Sequence, residues 1–307
     1  MHSTLTRRRA LTLGAGTAAT LTALTAAAPG TATATPAPGG GLDRRFRSLE
    51  REYAARLGVF GLDTATGATV SYREHDRFPL CSVFKALAAA AVLRDLDRHG
   101  EVLAERVRYT EAYVRKSGYA PVTGKPENLA HGMTVGELCA AAVSESDNTA
   151  GNLLLRRLGG PSALTRFSRS LGDDKTRLDR WEPELNSAEP WRETDTTTPR
   201  ALGGTLGRLL VGSALDRPDR ARLTGWLVAN TTNTERFRAA FPADWTLADK
   251  TGGGSAYGVA NDAGVVRPPG RAPLVLVILS AKHDPEGPTE NPLVARAARL
   301  TARSLTG

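Results

Sequence analysis

Metal-ligand clusters are missing from this chain. Its five histidines, at 2, 75, 99, 131 and 283, stand apart from one another, and no H-E-x-x-H or comparable grouping occurs. The sequence therefore gives no support to metal-assisted chemistry. Basic runs interleaved with aromatic residues are missing as well, and aromatics make up only 6% of the chain, which leaves nucleic-acid binding without a footprint. No G-x-G-x-x-G fits, and the run Gly252-Gly253-Gly254 lacks the glycine before Lys250 that a phosphate-binding loop needs. Only two cysteines occur, Cys81 and Cys139, so one disulfide is the most the chain can form.

What is present begins with an export signal. Thr6-Arg7-Arg8-Arg9-Ala10-Leu11 precedes an apolar Ala/Thr/Leu-rich stretch that runs to Ala28. A charged start, a short apolar run and small residues before a cut describe a secretory signal, and consecutive arginines point to the twin-arginine route. Ala26-Ala27-Ala28 and Ala32-Thr33-Ala34 both suit cleavage. The apolar stretch is rich in Thr and Gly and has no flanking stop-transfer charges, which argues against a membrane anchor. Residues 1–34 therefore read as signal peptide, and Thr35 to Gly41, with Pro36, Pro38 and three glycines, as a disordered leader. The signal holds three arginines and no acids, so its removal lowers the net charge from +8 to +5. The expected product is a secreted monomer with no stable membrane association.

Helical periodicity runs from Leu42 to about Leu57, and short strands over 58–62 and 68–72 flank the turn Thr64-Ala65-Thr66-Gly67. From Phe78 to about Trp226 the signal is helical. An apolar run from Ser82 to Arg98 closes at His99-Gly100, Thr134-Val135-Gly136-Glu137 has the capping-box pattern, and Pro161 and Pro199 suit first helical turns. Beyond Trp245, Ala260–Val266 and Leu274–Leu279 make two strands around Arg267-Pro268-Pro269-Gly270, and a helix follows over 289–304. Strands at both ends with helices between predict an α/β fold. Its antiparallel sheet comes from both chain termini and is flanked by helices (42–77 and 228–307), with an inserted all-α lobe (78–227). A cleft between lobes is where a small-molecule site is expected.

Three short strings carry the chemistry. Ser82-Val83-Phe84-Lys85 sets a hydroxyl and an amine three residues apart, on one helical face. A serine hydroxyl needs an adjacent base, and a lysine buried among Phe84, Leu87 and Ala88 suits that role. At a helix start the Ser82 backbone N–H also faces developing negative charge. Ser146-Asp147-Asn148 adds a second hydroxyl and an amide, with Asp147 read as holding the turn. Lys250-Thr251-Gly252, read as following a strand, suits a carboxylate, and its glycine lets a ligand lie against the backbone. Between the second and third strings, Glu182 and Asn186 stand four apart in a segment, Arg180 to Asp195, with the size of an Ω-loop and a candidate salt bridge at its neck.

Together and in this order, these strings form the signature shared by class A β-lactamases and penicillin-binding proteins. The chain resembles a class A serine β-lactamase over essentially everything after the signal. The resemblance implies hydrolysis of penicillin-type β-lactams, a small-molecule partner and no cofactor. It implies catalytic roles for Ser82, Lys85, Ser146 and Glu182, the last activating the deacylating water. Substrate binding falls to Asn148, Asn186, Lys250, Thr251, Gly252, Gly253, Arg236 and Tyr119, with the Gly253 N–H as the other half of an oxyanion hole. Many such enzymes carry the carboxylate-binding arginine on the strand after K-T-G, where this chain has Val259, and others supply it from the preceding segment, as Arg236 would. The Glu182–Pro183 bond is expected to be cis. Relatives with a disulfide use the Cys139 position with a partner that here is Ala89, or join the residue before the nucleophile to the position of Gly254. Both cysteines therefore read as free, buried small hydrophobes, and the carbapenem-hydrolysing subtype is disfavoured. Two rivals use the same motifs. A DD-peptidase lacks the loop carboxylate, and a β-lactam sensor needs membrane segments.

Overall fold

Leu274–Lys282 is buried along all but its last residue, because both of its faces are covered. Leu274, Leu276 and Ile278 join a cluster with Phe46, Val294 and Ala298 from the first and last helices. Val275, Val277 and Leu279 join a larger cluster with Phe84, Leu138 and Leu206 from the middle of the chain. Strand alternation sends neighbouring side chains to opposite faces, so one strand serves two cores. The computed structural model describes residues 39–97 and 100–307.

The sheet has five antiparallel strands: β1 (Ala55–Asp63), β2 (Thr69–Tyr72), β3 (Thr246–Gly253), β4 (Ala260–Arg267) and β5 (Leu274–Lys282), in the order β2-β1-β5-β4-β3. Helices Gly39–Tyr53 and Asn291–Thr306 cover one face. Phe84–Ala91, Val135–Ser144, Asn148–Leu158 and Pro199–Leu210 are among the helices of the cluster on the other face. An α/β fold with an antiparallel sheet from both ends of the chain is therefore what forms. No helix among the described residues is long and apolar enough to cross a membrane.

Local signals hold in several places. Thr134 and Glu137 make a reciprocal capping box, and Pro161 and Pro199 open their helices. Four expectations need correction. The first helix ends at Tyr53, and Ala55–Leu57 enters β1, where pairing with β5 outcompetes continued helix. The helix also begins at Gly39, taking the last three residues of the expected leader; the signal and the rest of the leader lie outside the described residues. The run from Ser82 is a 3-10 turn (Cys81–Val83), an α-helix (Phe84–Ala91) and a π turn (Val92–Leu96), and Gly100, at φ +82°, precedes the next short helix. The middle of the chain also contains two small antiparallel ladders, Phe78–Pro79 with Thr196–Thr197 and Arg106–Val107 with Met133–Thr134.

Candidate active site

Ser82 stands in the 3-10 turn that leads into Phe84–Ala91. The approach is clamped from two sides: Leu80 N–H donates to Asp195 O at 2.8 Å, and Asn261 Nδ2 on β4 donates to Pro79 O at 2.8 Å. Cys81 takes φ +45° and Ser146 φ +57°. Non-glycine residues in this region cost about 1–3 kcal/mol each and persist only where the surroundings hold them.

Nine of the twelve residues singled out from the sequence line one cavity of about 680 Å³: Ser82, Tyr119, Ser146, Asn148, Asn186, Arg236, Thr251, Gly252 and Gly253. The other three, Lys85, Glu182 and Lys250, are buried at 0%, 2% and 0% exposure. Lys85 Nζ donates to Ser82 Oγ at 2.8 Å, Ser146 O at 2.8 Å and Asn148 Oδ1 at 2.7 Å, and lies 2.9 Å from Glu182 Oε1. Gly151 makes room for it, since a Cβ there would come within 3.0 Å of Lys85 Cε. Ser82 Oγ in turn stands 3.4 Å from Glu182 Oε1. Asn186 Nδ2 donates to Glu182 Oε2, while Asn186 Oδ1 is buried without a donor from the protein.

At the other end, Lys250 Nζ donates to Ser146 Oγ at 3.0 Å and to Thr251 O at 3.0 Å. Lys250-Thr251-Gly252 lies inside β3, not after it, because its backbone completes the ladder with β4. A Cβ on Gly252 would meet Leu80 O at 3.1 Å, so a glycine lets β3 approach the Ser82 turn this closely. Arg236 is tied to the backbones of β3 and β4. Its Nη1 donates to Gly252 O at 2.8 Å and Asn261 O at 2.7 Å, and its Nε to Asn291 Oδ1 at 2.7 Å. Tyr119, 58% exposed, stands at the rim, and its carbonyl accepts from Asn148 N at 2.8 Å.

The chain matches the beta-lactamase enzyme family over residues 41–305. It is 67% identical to a beta-lactamase of Kitasatospora aureofaciens over 302 residues, covering 98% of this chain and 97% of that one. A carbapenem-hydrolyzing beta-lactamase KPC of Klebsiella oxytoca is 48% identical over 260 residues, 85% of this chain and 87% of the relative. Among solved structures, the beta-lactamase from Streptomyces albus G superposes with a TM-score of 0.84 at 59% identity, covering 86% of this chain and 99% of that one. The chain belongs to the class A β-lactamases.

In this β-lactamase the Ω-loop is closed as its sequence suggests. Arg180 Nε meets Asp195 Oδ2 at 2.5 Å, and Asp195 Oδ1 also accepts from the Asp179 and Arg180 backbones at 2.7 and 3.0 Å. The Glu182–Pro183 bond is cis. Asp147 holds its turn, accepting from Val122 N, Thr123 N and Ala150 N at 2.9–3.0 Å. Cys81 and Cys139 are buried free thiols, and burial pushes both well above the usual thiol range. Burial, followed by the neighbouring Lys85, lowers the Lys250 ammonium well below the usual lysine range, against the pull of Asp262 and Asp249.

Sequence reasoning missed Asn152. Its Oδ1 accepts from Glu182 N at 2.9 Å and its Nδ2 donates to Glu182 O at 2.9 Å, which fixes the loop acid to the helix carrying Asn148. The signal was available, since Asn152 follows Asn148 by four residues and shares its face. Thr232, whose Oγ1 bonds Thr251 Oγ1, was also missed, and a lone threonine in a loop gives no such signal.

Proposed function

We propose that this β-lactamase opens penicillin-type β-lactams through an acyl-enzyme on Ser82 that is released by water activated at Glu182. The observation that carries the reading is the contact of one carboxylate, Glu182, with both Ser82 and Lys85 at 3.4 and 2.9 Å in a buried setting. In acylation Ser82 Oγ attacks the lactam carbonyl and gives up its proton. Lys85, paired as an ammonium, becomes the acceptor only after passing a proton to Glu182; Glu182 can also take the proton through an intervening water. The carbonyl oxygen turns toward the Ser82 and Gly253 backbone N–H groups. Ser146 touches both lysines, Lys250 Nζ at 3.0 Å and Lys85 Nζ at 3.5 Å, which suits it to deliver a proton to the departing nitrogen.

Deacylation uses the same carboxylate once Glu182 has returned its proton to Lys85, which gives one through Ser146 to the departing nitrogen. Glu182 Oε2 and the donor-free Asn186 Oδ1 offer two acceptors to a water beside Ser82. Lys250, Thr251 and Arg236 receive the substrate carboxylate, and Asn148 and Tyr119 flank its side chain. Penicillins are the expected class, and the free Cys81, with glycine at position 254, argues against the carbapenem-hydrolysing subtype. Residues 1–34 direct export by the twin-arginine route, and residues 78–227 form the helical lobe over the cleft.

Continuous turnover of a chromogenic cephalosporin by purified protein tests the reading. A single stoichiometric burst would instead make the protein a DD-peptidase or a sensor. Ser82→Ala is expected to abolish penicilloyl labelling in the mass spectrum, and an adduct on that variant removes Ser82 as nucleophile.

A further inference from the structure

Asp249 and Asp262 make a carboxyl pair that neither the motifs nor the reaction requires. Thr251 pairs with Asp262 across β3 and β4, and Asp249 lies two residues before Thr251. Strand alternation therefore puts all three side chains on one face. Both acids are fully buried, and neither has a cation within ion-pair distance among the described residues. Asp249 is the largest charge acting on Asp262.

Their remaining oxygens are occupied asymmetrically. Asp249 accepts from Asn233 Nδ2 at 2.8 Å on Oδ1 and from Asn230 Nδ2 at 2.9 Å on Oδ2. Asp262 accepts from Phe237 N at 3.0 Å on Oδ2, but its Oδ1 is buried with no donor. Two carboxylates cannot face each other this way, because like charges in a low-dielectric site exclude double ionisation. A proton on Asp262, given to Asp249, satisfies the pair with one negative charge.

All three donors come from one segment, Asn230 to Phe237, which also carries Thr232 and Arg236 into the cleft. We propose that Asp262 is a positioning residue: protonated, it bonds Asp249, and the pair docks the 230–237 segment so that Thr232 and Arg236 stand beside Lys250-Thr251-Gly252 at the carboxylate end of the cleft. Arg236 from the docked segment is the charged group on the pair's side, with Glu235 further out, and Lys250, whose side chain leaves β3 on the opposite face, acts on the pair only as a nearby charge. Burial and then the adjacent Asp249 carboxylate raise Asp262 well above the usual carboxylate range, the direction that favours the shared proton. Its loss in alkali sets two negative charges against each other and loosens the docked segment.

The assignment rests on reading this end of the cleft as the carboxylate site, so one arm of the test is independent of activity. Infrared difference spectra of the wild type against Asp262→Asn are expected to show a buried protonated carboxyl at neutral pH that the variant lacks. Its absence from the wild type overturns the shared proton. In kinetics, Asp262→Asn keeps a neutral donor, so KM for a penicillin is expected to stay near wild type and to lose any alkaline rise that depends on the pair. Asp262→Ala is expected to raise KM about tenfold with kcat little changed, the scale of one lost hydrogen bond to a charged group. An Asp262→Asn variant with a tenfold higher KM, or with the full wild-type alkaline rise, overturns the positioning role even if the infrared band is present.

Discussion

The two lysines at the ends of the cleft are equally buried and are treated oppositely. Lys85 has a carboxylate at 2.9 Å, while Lys250 has only a hydroxyl and a carbonyl, each at 3.0 Å. A buried ammonium without a counterion is costly and lowers its own proton affinity, as Lys250 shows. On the proposed mechanism, the contrast separates a reacting end, whose charge is balanced internally, from a binding end, whose charge a substrate carboxylate would balance. It also explains why Glu182 needs so many tethers, through Asn152, Asn186 and the Asp195 neck.

Removing the balancing charge is the strongest way to break the contrast. Glu182→Gln is expected to lower kcat by about 10²–10⁴, the range for a general base, with acyl-enzyme accumulating in the mass spectrum. Turnover near the wild-type rate would discard Glu182 as the deacylation base. Emptying the binding end is expected to do less. Lys250→Ala removes a charged hydrogen bond worth about 1.5–3 kcal/mol, so KM for penicillins rises roughly 10- to 150-fold, most of it absent for an analogue without the carboxylate. An equal loss with that analogue would place Lys250 outside carboxylate binding.

Arg236 sharpens the same end at a smaller scale. Its Nη1 and Nε are already occupied by Gly252 O, Asn261 O and Asn291, so Arg236→Ala is expected to cost about 1.5 kcal/mol, near tenfold in KM. Unchanged kcat/KM would leave Arg236 with only a structural role.

The smallest effect concerns the loop that carries Glu182. Burial opposes the ionisation of Glu189, but hydrogen bonds from Ser187 and its own backbone, then Arg180, hold its carboxyl at about 2. A depressed folded value means that stability is fully present above the ordinary 4.5 and is lost as pH falls from there through about 2. Thermal melts across that range are expected to show this loss, and Glu189→Gln to flatten part of it. An identical acid profile in the variant would remove Glu189 from the loop's anchoring.

Much of the site was legible in the sequence because its residues sit in short strings whose internal spacing already fixes geometry. Ser82 and Lys85 meet because three residues span one helical turn, and Glu182 and Asn186 meet because a tight turn separates them. The capping box at Thr134 and the prolines at 161 and 199 were legible for the same reason, since each acts within one turn. Helix limits were less legible. The pattern from Leu42 continues past Tyr53, but β5 claims Ala55–Leu57 for the sheet.

By itself, the sequence determined the chemical groups, their local spacing and the alternation that builds a two-faced sheet. Only the tertiary structure decided which groups became partners across long separations. Lys85 meets Glu182 97 positions away, Asn152 holds the Glu182 backbone, and Asp249 meets Asp262 across a strand pair. The physical reason is burial. Excluded from water, each polar group must find its hydrogen bonds in whatever the fold brings beside it, and no local pattern records that neighbour.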